Sequence, residues 1–204
     1  MQDTPALEAP GTIWDRTSPV GRLLGAIDDA GDTLFDPFRG RPWADAAAAA
    51  VSNLSDYGVV WVVLAGAKAR HPGRGRRRAV LALGAAGTVS YSLNRAVKAL
   101  AARERPSARQ RHPRGNDVLR VRPPTSTSFP SGHVLAAFCT AFVLPETRVG
   151  RRASLAFATA VAAGRVHLRA HHASDVAGAA LLGAASGLPL RRLVNAASRR
   201  SDME

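Results

Sequence analysis

Three short stretches hold the residue types that phosphoryl chemistry requires. In Lys98–Pro106 (KALAARERP), Lys98 and Arg105 stand seven residues apart, about two helical turns, so a helix projects both cations from one face before Pro106 stops it. In Pro130–His133 (PSGH), Ser131 supplies a hydroxyl, Gly132 permits close backbone approach, and the apolar run that follows predicts a helix whose first amides attract an anion. His133 then stands as a proton donor beside that anion. In Gly164–Asp175 (GRVHLRAHHASD), Arg165 adds a cation and His171 precedes Asp175 by four residues, a spacing that lets the carboxylate reach the imidazole on a helix face. A carboxylate on one ring nitrogen leaves the other free to attack. Taken singly, each stretch has a plainer reading: Lys and Arg near a helix end answer its dipole, and Ser-Gly before a helix is a cap.

His167 and His171 also stand four apart, as two zinc ligands on a helix do, and His172 is adjacent. Arg165 and Arg169 flank the group, and Leu168 occupies the place of the acidic base in the zinc motif, so no metal site is expected.

The elements that must position these residues are helical. Five apolar segments, about Ala46–Ala67, Ala79–Leu100, His133–Pro145, Ala153–Val166 and Val176–Leu190, carry helix-favouring residues and Gly84, Gly87, Gly178 and Gly183, which suit close helix contact in lipid. Several are shorter than the roughly 20 apolar residues of a spanning helix or contain Asp56, Arg95 or Lys98, but their polar residues cluster at the segment ends, which favours a membrane bundle over the soluble alternative. Before them, Ser18–Phe35 places Val20, Leu23, Leu24, Ile27, Leu34 and Phe35 near helical spacing with Asp28, Asp29 and Asp32 between. That pattern predicts an amphipathic helix, on a bilayer surface or against the core. Residues 1–17 are expected to be poorly ordered and to carry no chemistry. The chain divides into an N-terminal extension (1–43), one domain (44–194) and a basic tail (195–204).

The formal charge of +13 comes from arginine-rich blocks between apolar stretches. If all five segments span, the basic 68–78 and 146–152 loops and the tail fall on one side, cytoplasmic by the positive-inside rule, and the three chemical stretches fall on the other. Arg103, Arg109, Arg111, His112, Arg114, Arg120 and Arg122 crowd the loop before PSGH, where they are expected to be solvated or to face anionic headgroups, with some left to grip a second phosphate. The basic loops lack aromatic residues other than histidine, which argues against a nucleic-acid partner. Cys139 is the only cysteine, so no internal disulfide forms, and it reads as a buried hydrophobe. The first ten residues lack the basic start and apolar run of a signal peptide, which argues against export as a soluble enzyme.

Together the three stretches resemble the signature of the PAP2 (phosphatidic acid phosphatase type 2) superfamily, K-x6-RP, PSGH and SR-x5-H-x3-D. Lys98, Arg105 and Pro106 fit the first motif, Pro130–His133 the second, and Arg165, His171 and Asp175 the third, with Gly164 in place of the motif serine. The resemblance implies a helical bundle; with the apolar segments and the charge of the loops, the expectation is an all-α bundle of about five transmembrane helices in the cytoplasmic membrane, with the active site on the extracytoplasmic face. The resemblance also implies a small bacterial-type membrane lipid phosphatase acting on a lipid phosphate or diphosphate, with membrane lipids around it and no metal or other cofactor. His171 is then the nucleophile, Asp175 orients it, His133 protonates the leaving oxygen, and Lys98, Arg105, Ser131, Gly132 and Arg165 bind phosphate. Longer haloperoxidases and secreted soluble phosphatases of the same superfamily fit the chain less well, and the alternative within the fold is a lipid-phosphate-binding membrane protein without turnover, which only Gly164 favours.

Overall fold

The computed structural model describes residues 12–70, 74–101, 103–106 and 126–200, and every regular element among them is helical. In chain order these are α1 (Pro19–Phe35), α2 (Pro42–Ser55), α3 (Val59–Ala69), α4 (Arg74–Ala101), α5 (Gly132–Val143), α6 (Arg148–His167) and α7 (Ala173–Arg200). Four of the five apolar segments become α4 to α7. The first divides: a 3-10 turn at Asp56–Gly58 separates α2 from α3, which meet at 57°. Asp56 is extended (ψ 135°) and Gly58 is left-handed (φ 69°), a conformation that glycine adopts without a Cβ penalty.

The centre of the bundle is α5, whose Val134, Leu135, Ala137, Cys139, Ala141 and Val143 are buried. Against it lies α7, close enough that a Cβ at Gly183 would stand 2.7 Å from the Leu135 carbonyl oxygen and one at Gly187 2.9 Å from that of Cys139. Gly178 faces the Phe129 ring just as tightly, at 2.6 Å. The expectation of close contact fails at Gly84 and Gly87, beside which there is open space. Arg78, assigned above to a basic loop, is instead buried within α4, where its guanidinium donates to the Val143 and Leu144 carbonyls and so closes the C-terminal end of α5.

Many large apolar side chains point outward, including Val62 and Val63 of α3, Val80 and Leu81 of α4, and Leu181 and Leu193 of α7. By length and composition α7 (Ala173–Arg199) passes as a membrane span among the described residues, and so does the bent pair Pro42–Ser55 with Val59–Lys68. Gly132–Val143 is apolar but short, about 18 Å long.

Ser18 caps α1 by accepting from the Gly21 amide, and Pro19 opens the helix. Its amphipathicity runs opposite to that of a core helix. Gly21, Gly25 and Asp28 form the buried stripe, while Val20, Leu23 and Leu34 are more than half exposed. Trp14, in the stretch expected to be unstructured, is buried.

Candidate active site

α4 brings Lys98 to the site but ends at Ala101, so Arg105 does not share its helical face as the spacing predicted. Arg105 reaches the same point from the chain beyond the helix: the Lys98 ammonium and an Arg105 Nη both donate to the Thr127 carbonyl. Arg105 also donates to the carbonyls of Ser126 (2.7 Å) and Ala170 (2.7 Å), which ties this first-motif residue to the stretch before the second motif and to the third motif.

Ser131 stands at the N-cap of α5, yet its hydroxyl makes no capping bond. Completely buried and unpartnered, it is an orphaned donor beside the free amides of a helix start, which is what an anion site offers. A Cβ at Gly132 would come within 3.2 Å of the Asn94 amide. His133 follows, and its Nε2 lies 2.6 Å from the Asp56 carboxylate.

The helical pairing predicted for His171 and Asp175 is replaced by a turn. Arg169 (φ 49°) takes the left-handed conformation after α6 and reverses the chain, so His171 precedes α7 while Asp175 sits in its first turn. Asp175 Oδ2 lies 3.8 Å from His171 Nδ1, near enough for charge attraction but too far for a hydrogen bond. On the other side of the ring an Arg105 Nη lies 3.1 Å from Nε2. Arginine carries only donors, so Nε2 is the acceptor and the ring proton belongs on Nδ1, toward Asp175. Burial pushes the His171 pKa down to about 3, with Arg105 and Arg165 adding to the effect and Asp175 opposing it. The imidazole is therefore neutral, with a lone pair on Nε2. Arg165, almost wholly buried, donates to the Ser52 hydroxyl (2.7 Å).

Lys98, Arg105, Gly132, His133, Arg165 and His171 all line one cavity of about 810 Å³. The cavity continues between Trp61 and Val62 of α3 and Leu83 and Gly87 of α4. Leu83 is 15 residues before Lys98, about 22 Å along the helix. The open space at Gly87 is thus part of an apolar groove that leads away from the cations.

Residues 79–199 match the family model of the PAP2 superfamily. The chain belongs to that superfamily. It is 33% identical to decaprenylphosphoryl-5-phosphoribose phosphatase of Mycolicibacterium smegmatis over 67% of this chain and 72% of that protein. It is 31% identical to the protein of the same name from Mycobacterium tuberculosis H37Rv, over 72% of this chain and 78% of that protein. Among solved structures, the first transmembrane PAP2-type phosphatidylglycerolphosphate phosphatase from Bacillus subtilis shares the fold, with a TM-score of 0.63 and 23% identity over 91% of this chain and 89% of that one. The PAP2 motif residue replaced here, Gly164, has a local cause: α2 crosses so closely that a Cβ would stand 3.3 Å from the Ala48 carbonyl oxygen.

Several residues around the PAP2 motifs were not legible as functional. Arg103, expected to be solvated, is buried and lies between two carboxylates, donating to Asp28 (2.6 Å) and to Asp175 (2.5 Å). Burial lowers its pKa, but Asp175 and Asp28 outweigh that and hold it above its ordinary value. The Trp14 ring covers its guanidinium at 4.3 Å. Ser128 donates to Asp175 Oδ2, which also accepts from the His172 amide. His167 turns to Asp45 (2.7 Å), and the described residues contain no cluster of three metal-ligating side chains. Arg109, Arg111, His112, Arg114, Arg120 and Arg122 lie outside the described residues.

Proposed function

We propose that the chain is a multi-pass membrane phosphatase that removes phosphate from a lipid-linked phosphomonoester through a phosphohistidine on His171. The observation that carries this reading is the neutral, buried His171 imidazole, whose Nε2 meets Arg105 in a cavity that Lys98 and Arg165 also line and that opens into an apolar groove. Phosphate seats against Lys98, Arg105, Arg165, the Ser131 hydroxyl and the Gly132 amide, and Arg105 turns from Nε2 to the phosphate oxygens. His171 Nε2 then attacks phosphorus in line. The P–O bond to the leaving group breaks, and His133 gives its proton to that oxygen. Asp56 holds the His133 ring in place, and Asp175 stabilises the imidazolium through its Nδ1–H. Water next attacks the phosphohistidine and yields its proton to His133, and the P–N bond breaks. The cations supply the transition-state stabilisation that a metal ion gives elsewhere.

The outward apolar side chains of α3, α4 and α7 support placement in a bilayer, and the basic tail supports an extracytoplasmic site in the cytoplasmic membrane. The names of the relatives favour a phosphomonoester over a diphosphate, and the groove is long enough for an apolar tail. The deciding experiment measures phosphate release by detergent-solubilised protein from lipid mono- and diphosphates. His171→Ala is expected to lose activity by roughly three orders of magnitude or more, and chelators to have no effect. An active His171→Ala protein would end the phosphohistidine reading, and chelator-sensitive turnover would end the metal-free one.

A further inference from the structure

Asp28 is buried on the inward stripe of α1, and both its oxygens are engaged. Oδ2 accepts from Arg103 Nη2 at 2.6 Å and Oδ1 accepts from the Ser174 amide at 2.8 Å. Arg103 Nη1 continues the chain of contacts to the Ser174 hydroxyl (2.7 Å) and to Asp175 Oδ1 (2.5 Å). The other oxygen of Asp175 faces His171. Asp28 does not line the cavity, so it has no route to substrate except through this chain.

The charges explain why a second carboxylate is useful there. Asp28, Arg103, Asp175 and His171 are each at most 6% exposed. Two carboxylates and one guanidinium leave a net charge of −1. When His171 Nε2 is bonded to phosphorus and Nδ1 keeps its proton, the imidazole carries +1, and these four residues together become neutral, while Lys98, Arg105 and Arg165 answer the phosphoryl charge on the cavity side. Without Asp28 the Arg103–Asp175 pair is neutral overall, so less negative charge stands behind the Nδ1 side of that imidazolium, opposite the phosphoryl group.

We propose that Asp28 is a positioning residue for the reaction, through which the N-terminal helix sets the orientation and net charge of the Arg103–Asp175 pair behind the His171 nucleophile. The inference rests on the phosphohistidine reading above. Its test uses the purified full chain with dioleoyl phosphatidate as substrate and orthovanadate as a five-coordinate mimic bonded to the nucleophile. Asp28→Asn and Asp28→Ser are compared with the wild type and with His171→Ala. Both Asp28 variants are expected to lose roughly 10–100-fold in kcat at nearly unchanged KM, and their vanadate inhibition constants to rise by a similar factor. A smaller population of folded molecules lowers kcat but leaves the vanadate constant where it was, because that constant is read on the active molecules. An unchanged vanadate constant in both variants, or failure of both to fold, overturns the inference in favour of a purely structural Asp28. An active His171→Ala removes the reading beneath it, whereas an inactive one beside unaffected Asp28 variants removes this step alone.

Discussion

Residues 12–58 and residues 98–175 meet around the active site with opposite chemistry. The later region brings Lys98, Arg105, Arg165, His133 and His171, and its motif carboxylate is Asp175. The earlier region brings acids that pair with basic residues of the later region: Asp28 with Arg103, Asp45 with His167 and Asp56 with His133. A pocket that attracts an anion is weakened by carboxylates on its wall, yet cations and imidazoles held close together repel and need anchoring. Placing Asp28 and Asp45 away from the cavity meets the second need without the first cost. Of these three acids Asp56 alone lines the cavity, and its carboxylate is committed to a histidine.

The division predicts graded effects. Asp56→Asn should be the most damaging of the three for a lipid phosphomonoester, lowering kcat by about 100-fold, because His133 must protonate a poor leaving group. With p-nitrophenyl phosphate, whose leaving group needs no proton, the same variant should lose clearly less, because only the water step then calls on His133, and equal losses on both substrates would break the assignment of Asp56 to the acid. Asp28 variants come next, with the losses given above. Asp45→Ala should leave kcat within about twofold of wild type, while stranding the buried His167 nitrogen at a cost of about 1–3 kcal/mol, seen as a lower melting temperature. A large catalytic loss there would show that the anchoring acids are not separable. The smallest effect is expected from Gly164→Ser, which restores the family residue. Against the Ala48 carbonyl it should cost about 1 kcal/mol of stability and bring no gain in turnover.

What could be read from the sequence follows the same line. The motif residues of the later region were legible because phosphoryl transfer dictates their types, and Lys98, Arg105, Gly132, His133, Arg165 and His171 do converge on one cavity. How they converge was less legible. Arg105 and His171 lie outside helices, so their helical spacings predicted the meeting but not its geometry. The break at Asp56–Gly58 left a turn signal, an acid two residues before a glycine, inside a run otherwise apolar enough to read as one helix. Arg103 looked like any other arginine of a basic loop. Its partner Asp28 is distant in sequence, and only the small residues Gly21 and Gly25 on the same stripe of α1 marked that face as the inward one. Long-range acid–base pairs of this kind carry no periodicity.

The glycine seam between α5 and α7 has a mechanical consequence. His133 stands near the start of α5 and Asp175 in the first turn of α7, and Gly183 and Gly187 seat one main chain directly on the other. Side chains at a helix interface act as springs, whereas backbone resting on backbone has little travel left to compress. In the proposed bilayer placement, a change of thickness is expected to tilt the outer helices while this central pair shifts as one unit. The spacing between His133, the proposed proton donor, and Asp175 is then expected to change little under lateral pressure.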